Sequence, residues 1–153
     1  MLLAESLPHI DWDELYDRLR EMGAPYGKVF ADVRFLPNSH EVLQAGEYAL
    51  EHGCFEQFNE AVFRAYFTDL QDIGDRSVIC DAAAQCGLDA EDLTRALDES
   101  RYAARLREVT GMARAGGINS APTFIIDNRF AIVGMQPEAQ FRQLLQKISV
   151  SHT

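Results

Sequence analysis

The feature that most limits the possible folds is a change of pattern near the C-terminus. Up to Gly116 the apolar residues recur at helical spacing, whereas residues 123–134 read T-F-I-I-D-N-R-F-A-I-V-G, two apolar runs joined by Asp127-Asn128. Asp and Asn tolerate positive φ, so this pair suits a type I′ turn and the segment predicts a β-hairpin. Ile125-Ile126 and Ile132-Val133 are apolar at adjacent positions. We therefore expect both faces of the hairpin to be covered, with helices on both sides.

The rest of the chain predicts one helix after another. The spacing of apolar residues and the breaks at Gly and Pro indicate helices over about 12–22, 38–52, 54–68, 75–87, 89 onward and 101–115, and one that starts at Pro137. Between the first two, residues 28–35 alternate apolar and polar side chains. This segment predicts a short strand or an extended loop.

Two helices carry patterns that bear on function. Asn38 is followed three positions later by Glu41, which resembles a capping box. The helix over 54–68 has a stripe of mostly aromatic residues, with two more beside it: Phe55, Phe58, Val62 and Tyr66, flanked by Phe63 and Phe67. An amphipathic helix must bury its apolar stripe, so the stripe predicts core rather than a ligand site.

Composition excludes several classes of protein. A chain of 153 residues with 47% hydrophobic and 25% charged residues predicts a single globular domain. Its net charge of −10 disfavours nucleic acid and anionic membranes as partners. The N-terminal M-L-L-A-E-S-L-P-H-I has no basic region and is interrupted by Glu5, which does not resemble a secretory signal. We therefore expect a cytoplasmic protein.

The reactive side chains form no recognisable site. Cys54, Cys80 and Cys86 contain no C-x-x-C spacing. On one helix Cys80 and Cys86 would be about 9 Å apart along the axis, beyond the roughly 7 Å that a disulfide spans. We expect three buried or half-buried thiols. The four histidines, His9, His40, His52 and His152, lack the spacing of metal ligands. We predict no metal, no cofactor and no catalytic residue.

The order of motifs resembles a known family. The run G-I-N-S-A-P-T-F-I-I-D, a turn, R-F-A-I-V-G-M-Q-P-E and a final helix resembles the C-terminal half of the DsbA-like thioredoxin superfamily, particularly its FrnE-like, disulfide-isomerase-type branch. A-V-F-R-A-Y-F-T-D-L-Q-D-I-G-D is similar to the family's inserted helical domain, and L-P-N-S to the segment that enters it. The resemblance covers about 25–149.

The resemblance implies a mostly helical α/β fold. Residues 1–24 would form an N-terminal segment and helix, 25–116 the helical insertion, and 117–149 the C-terminal hairpin and helix of an incomplete thioredoxin-like sheet. The resemblance also implies a cis bond between Ala121 and Pro122. From the residues alone, a trans proline that opens a strand is the simpler interpretation.

The resemblance further implies a binding surface for an extended, thiol-bearing peptide or protein. In the family, the residue that matches Ala121 offers its backbone N–H and C=O to such a partner, as in strand addition. Ala121 and Pro122 would form a peptide-binding lip, and Asn38 would face the groove beside the proline. Here Ser120-Ala121 stands where the branch often has Gly-Val.

The catalytic front of the family is missing from this sequence. The family begins with a strand, a helix headed by C-x-x-C and a second strand, and no cysteine precedes Cys54 here. Dithiol chemistry needs an activated thiol and a resolving partner, so we expect the chain to be redox-inactive as written. A lone apolar hairpin is marginal in water, and its edge invites association. We predict that another copy of the chain, residues 28–35 or the N-terminal segment fills that edge.

Three functions fit these observations. The chain is a DsbA-family oxidoreductase whose front is absent through truncation, a misplaced start or a cloning choice, or it is a non-enzymatic module for binding or oligomerisation. The third alternative is a relative of the glutathione-dependent isomerases, for which saturable glutathione binding would be diagnostic.

Overall fold

The computed structural model describes residues 2–150 and is mostly helical. The elements follow in this order: α1 Leu3–Ser6, α2 Trp12–Gly23, a 3-10 turn Ala24–Tyr26, α3 His40–Glu51, α4 Phe55–Phe67, α5 Arg76–Gln85, α6 Ala90–Asp98, α7 Ala103–Ala115, β1 Thr123–Ile126, β2 Phe130–Val133 and α8 Glu138–Val150. Within residues 2–150, no helix has both the length and the apolar content that crossing a membrane requires. The predicted mixture of many helices with one hairpin is confirmed.

The chain divides into two compact units, with the boundary between Arg107 and Glu108 inside α7. The sequence predicted a single domain with internal boundaries at 24 and 116, and that subdivision stays a prediction. The first unit contains α1 to α6, and the second contains the hairpin and α8.

The larger core of the first unit joins α3, α4, α5 and α6. Its largest fully buried apolar side chains are Tyr48, Phe58, Ile79 and Leu93, one from each of the four helices. Aspartates cap the starts of α5 and α6, at the positions 75 and 89 where the sequence predicted helices to begin. The Asp75 carboxylate accepts a hydrogen bond from the Ser77 N–H at 2.8 Å, and Asp89 accepts one from the Glu91 N–H at 2.8 Å. These bonds satisfy amides that the first turn of a helix leaves unpaired.

A smaller core holds the N-terminal segment against the end of α4. Val33 is fully buried there together with Leu3 and Tyr16. The segment 28–35 is extended, and it is fixed by single contacts such as the 2.7 Å bond from the Ala31 N–H to the Phe67 carbonyl. Phe35 forms an isolated antiparallel bridge with Leu2. Of the two predicted alternatives, the extended loop is the one observed.

The second unit contains the predicted hairpin. Asp127 and Asn128 have φ of 52° and 53°, the pair of positive values that a type I′ turn requires. β1 and β2 pair antiparallel, with Phe124 opposite Ile132. The ring of Phe124 packs edge-to-face on Phe141 of α8, with centroids 5.0 Å apart. One face of the hairpin is therefore partly covered by the last helix, and Ile132 on that face is buried.

The opposite face of the hairpin corrects two expectations. Ile125 and Val133 lie on that face and are 48% and 57% exposed, so the prediction that both faces are covered is wrong for the described chain. The sheet has two strands within residues 2–150. Within residues 2–150, β1 and β2 pair with each other and no further strand joins them, so neither residues 28–35 nor the N-terminal segment fills the edge there. Of the three predicted ways to fill the edge, only another copy of the chain stays a prediction.

Candidate functional site

The predicted lip lies in a loop between α7 and β1, residues 116–122, which we call the proline loop. Gly117 has φ of 77°, a left-handed conformation that ends α7 and suits glycine. The Thr123 hydroxyl donates to the Ser120 carbonyl at 2.6 Å, and the Gly134 N–H donates to the Pro122 carbonyl at 2.8 Å. These bonds anchor the proline loop to both strands of the hairpin.

Within the proline loop, the bond between Ala121 and Pro122 is cis, the isomer that the resemblance implied. Both residues are exposed. Among the described residues, neither the N–H nor the C=O of Ala121 has a hydrogen-bond partner. An exposed, unpaired donor and acceptor on one residue can accept an extended chain as an added strand.

Asn38 makes only part of the predicted capping box. Its side-chain oxygen accepts a hydrogen bond from the His40 N–H at 3.1 Å, so it does satisfy an amide in the first turn of α3. The residue at the N-cap position is Ser39, which makes no side-chain capping bond. Glu41 does not complete the box, because Arg76 holds its carboxylate with bonds from Nε and Nη2, each 2.8 Å. The prediction that Glu41 completes a capping box with Asn38 is therefore wrong.

Close packing fixes the backbone of Asn38. A Cβ atom added to Gly74 would lie 3.0 Å from the Asn38 carbonyl oxygen and 3.2 Å from its nitrogen. The Gly74 N–H is held in turn by the Asp72 carboxylate at 2.8 Å.

The side chain of Asn38 is exposed. Asn38 belongs to the first unit, and Ala121 and Pro122 belong to the second. The groove shared by these three residues stays a prediction.

Two of the three thiols share a cavity that sequence analysis missed. All three cysteines are free and half-buried. Cys54 and Cys86 both line a cavity of about 470 Å³, the thiol cavity, whose other lining residues include Tyr48, His52, Leu88 and Arg95. Burial, and then the charge of Cys54, raise the pKa of the Cys86 thiol. The Cys80 sulfur lies instead 3.8 Å from the Thr94 hydroxyl.

The histidines keep mostly ordinary surroundings. His9, His40 and His52 are exposed, and His152 lies outside the described residues. The His52 ring packs against that of Tyr48 with centroids 4.1 Å apart and a tilt of 30°, and its Nδ1 lies 2.8 Å from the Tyr48 carbonyl oxygen. A carbonyl can only accept, so Nδ1 carries a proton. Within residues 2–150, no three His, Cys, Asp or Glu side chains are grouped to hold a metal ion.

The aromatic stripe of α4 is only partly core. Phe58 is buried, but Phe55 and Phe63 are 41% and 52% exposed. They line a half-open apolar groove of about 320 Å³ together with Val42, Val62, Tyr66 and Leu106. The prediction of core is therefore correct for Phe58 and wrong for Phe55 and Phe63. The stripe gives the width of the apolar face, whereas the number of neighbouring helices decides how much of it is covered.

A cis-proline loop, a terminal hairpin followed by a helix, and a preceding helical unit define a thioredoxin-like protein of the DsbA type. Residues 10–146 match the family model of the DSBA-like thioredoxin domain. The chain belongs to this family.

Individual relatives agree with this assignment. The chain is 30% identical over 98 residues to the uncharacterized protein YwbO of Bacillus subtilis, and the match covers 63% of this chain and 49% of YwbO. The crystal structure of SCO1869 from Streptomyces coelicolor, a probable DsbA oxidoreductase, is similar with a TM-score of 0.84 at 23% identity. That match covers 96% of this chain and 67% of SCO1869.

A second solved structure has the same fold. It is a protein from Nitrosomonas europaea proposed to be a protein disulfide isomerase, with a TM-score of 0.71 at 16% identity. The match covers 92% of this chain and 74% of that protein. This chain spans about half the length of YwbO, 49%. Each match therefore covers only a part of the relative.

Proposed function

We propose that this chain is a DsbA-family protein that binds an extended, thiol-bearing peptide or protein at Ala121 and Pro122 and does not itself catalyse dithiol exchange. The observation that carries the proposal is that Ala121 is exposed and that its backbone N–H and C=O have no hydrogen-bond partner among residues 2–150. The family membership supports it, because the oxidoreductases of this fold act on thiols and disulfides.

Strand addition gives the proposed site its chemistry. The Ala121 N–H would donate to a carbonyl of the partner, and the Ala121 C=O would accept from a partner amide. Main-chain bonds of this kind supply affinity without selecting a sequence. The small Ala121 side chain leaves room for a partner side chain next to Pro122.

The absence of turnover follows from the cysteines of this chain. A dithiol catalyst needs an accessible attacking thiol and a resolving partner beside the substrate. Cys54 precedes α4, Cys80 lies in α5 and Cys86 follows α5. They form no C-x-x-C pair. A peptide bound at the proline loop would therefore have no family-type cysteine pair to react with in this chain.

Backbone NMR with a short extended cysteine-containing peptide tests the binding site. We expect the amide signals of Ala121 and Gly134 to shift on titration. Ala121→Pro removes the proposed donor and should abolish binding, whereas the matched Ala121→Val keeps the N–H and should bind. Binding that leaves the Ala121 signal unmoved, or no binding at millimolar peptide, would contradict the proposal. The wild-type titration remains decisive if Ala121→Pro fails to fold.

An insulin-reduction assay tests the absence of turnover. We expect a rate equal to the background of the small thiol, with a C-x-x-C oxidoreductase as positive control. Turnover above that background, lost on substitution of a cysteine, would show that the chain is an active enzyme. Saturable binding of glutathione would instead favour the isomerase-type alternative.

The open face of the hairpin favours a second candidate function, self-association. Ile125 and Val133 expose apolar surface on a two-stranded sheet whose outer edges carry no further strand within residues 2–150. A second copy would bury that surface and pair the edge. Analytical ultracentrifugation should show an oligomer that Val133→Lys dissociates. The same change at Val109, 44% exposed on α7, is the control and should leave the oligomer intact. A monomeric wild-type chain rules this candidate out.

A further inference from the structure

The topology of the first unit places Cys54 and Cys86 at the same end of a helix pair. Cys54 directly precedes α4, and Cys86 directly follows α5. The loop 68–75 joins these two helices, and both contribute to the larger core through side chains such as Phe58 and Ile79. Consecutive helices that pack together across a short loop run antiparallel. The start of α4 therefore lies beside the end of α5.

The surroundings of the two sulfurs give a small molecule access to them from the thiol cavity, although burial raises the pKa of the Cys86 thiol. Both thiols line the thiol cavity, and both are half-buried rather than sealed in the core. The Cys54 sulfur lies 3.7 Å from the Ala49 carbonyl oxygen, and the Cys86 sulfur lies 3.2 Å from that of Ala82. These are weak thiol contacts.

We infer that Cys54 and Cys86 form a thiol pair that a low-molecular-weight disulfide of the glutathione type oxidises to an intramolecular disulfide. A disulfide requires Cα atoms within roughly 7 Å. Two packed helices have axes about 8–10 Å apart, which brings the start of α4, preceded by Cys54, close to the end of α5, followed by Cys86. The thiol cavity, about 470 Å³, admits a small disulfide to both sulfurs.

The oxidation proceeds in two balanced exchanges. The thiolate of one cysteine attacks a sulfur of the small disulfide, whose S–S bond breaks and releases one small thiolate. The thiolate of the other cysteine then attacks the protein sulfur of this mixed disulfide and releases the second. The two protein thiols are oxidised, the small disulfide is reduced to two thiols, and the two protein protons end on those leaving groups. Cys80 takes no part, because it does not line the thiol cavity.

Incubation of the full chain with oxidised glutathione tests the inference. The reduced protein has three free thiols. Oxidation should leave one, with a mass loss equal to two hydrogens and no change of oligomeric state on a non-reducing gel. Cleavage before Asp81 separates Cys80 from Cys86, so peptide mapping can assign the bond. The mapped bond should join Cys54 to Cys86.

Matched serine variants complete the test. Cys54→Ser and Cys86→Ser should each prevent the intramolecular bond and stop at a glutathione mixed disulfide, whereas Cys80→Ser should oxidise like the wild type. Retention of three thiols, or a mapped bond that includes Cys80, would overturn the inference. The wild-type mapping remains decisive if a variant fails to fold. The outcome is separate from the proposed function, since peptide binding at Ala121 and insulin turnover are measured independently.

Discussion

The guanidinium of Arg76 donates two hydrogen bonds to the carboxylate of Glu41, from Nε and from Nη2, each 2.8 Å long. A third bond, from Nη1 of Arg76 to Asp98, measures 2.5 Å. The first residue of α5 is thereby tied both to the start of α3 and to the end of α6. Bidentate pairing of this kind is geometrically specific, so Arg76 links α3, α5 and α6 in a defined arrangement.

The bond to Arg76 holds the pKa of Glu41 below its ordinary value of 4.5. A lowered pKa stabilises the folded state above the unfolded value, and this contribution is lost as the pH falls through the folded pKa. Glu41→Gln should therefore lower the free energy of unfolding by about 0.5–1 kcal/mol near neutral pH, a range typical of partly exposed pairs.

Urea unfolding at several pH values checks this expectation. The difference between wild type and Glu41→Gln should shrink as the pH falls below 4.5 and through the lowered pKa of the folded state. Glu21→Gln is the control, because Glu21 is exposed and has no ion pair among the described residues. If the stability lost in Glu41→Gln does not change with pH, the charged bond between Glu41 and Arg76 is not its cause.

Tyr48 should make the chain sensitive to alkali. Its hydroxyl donates to an Asp92 carboxylate oxygen at 3.0 Å, and burial, followed by this bond, raises its pKa from 10.0 to about 12. A raised tyrosine pKa contributes stability that is complete below the unfolded pKa and is lost as the pH rises from 10.0 toward about 12. Below pH 10.0, Tyr48→Phe should lower the free energy of unfolding by about 0.5–1.5 kcal/mol.

Denaturant unfolding on both sides of the window measures the Tyr48 contribution. The advantage of the wild type over Tyr48→Phe should decline through the window rather than grow. Tyr26→Phe serves as the control, because Tyr26 is 72% exposed and its loss should change neither the stability nor its slope with pH. Equal slopes for wild type and Tyr48→Phe would show that Tyr48 does not carry the effect.

Local signals in the sequence were sufficient for much of this fold. Asp75 and Asp89 mark helix starts because an N-cap bond spans two or three residues, and Asp127-Asn128 mark the turn because both must adopt positive φ. Each of these features depends on chemistry within a few neighbouring positions. A single sequence contains that information in full.

Features that depend on distant residues could not be predicted in the same way. Glu41 has the spacing of a capping box, but its partner is Arg76, 35 positions away, and a charged bidentate bond outcompetes a local amide. Cys54 and Cys86 appear unrelated until α4 and α5 pack side by side. The exposure of Phe63 likewise depends on which helices are present beside α4. The proline loop of the candidate site could be predicted from the sequence, whereas the thiol cavity could not.

The hairpin turn should depend on the side chain at position 128. Asn128 has φ of 53°, a conformation that costs most residues about 1–2 kcal/mol but that Asn and Gly accept readily. Asn128→Ala should therefore destabilise the hairpin by about 1 kcal/mol. Asn128→Gly should keep the turn. Hydrogen exchange of the strand amides measures the effect, and equal protection in both variants would contradict a type I′ turn.

Gly74 and Gly111 should respond to alanine with opposite signs. At Gly74 the new methyl group would lie 3.0 Å from the Asn38 carbonyl oxygen, a backbone atom that cannot turn aside. The resulting shift should cost about 1–3 kcal/mol, as overpacking usually does. Gly111 lies inside α7, and apart from its chain neighbours and the backbone of that helix no described atom lies within 4 Å of the added methyl group. There alanine should stabilise the chain by about 0.5–1 kcal/mol, because glycine loses more backbone entropy in a helix. Thermal unfolding of the two variants measures both signs, and a neutral Gly74→Ala would show that the backbone around Asn38 yields easily.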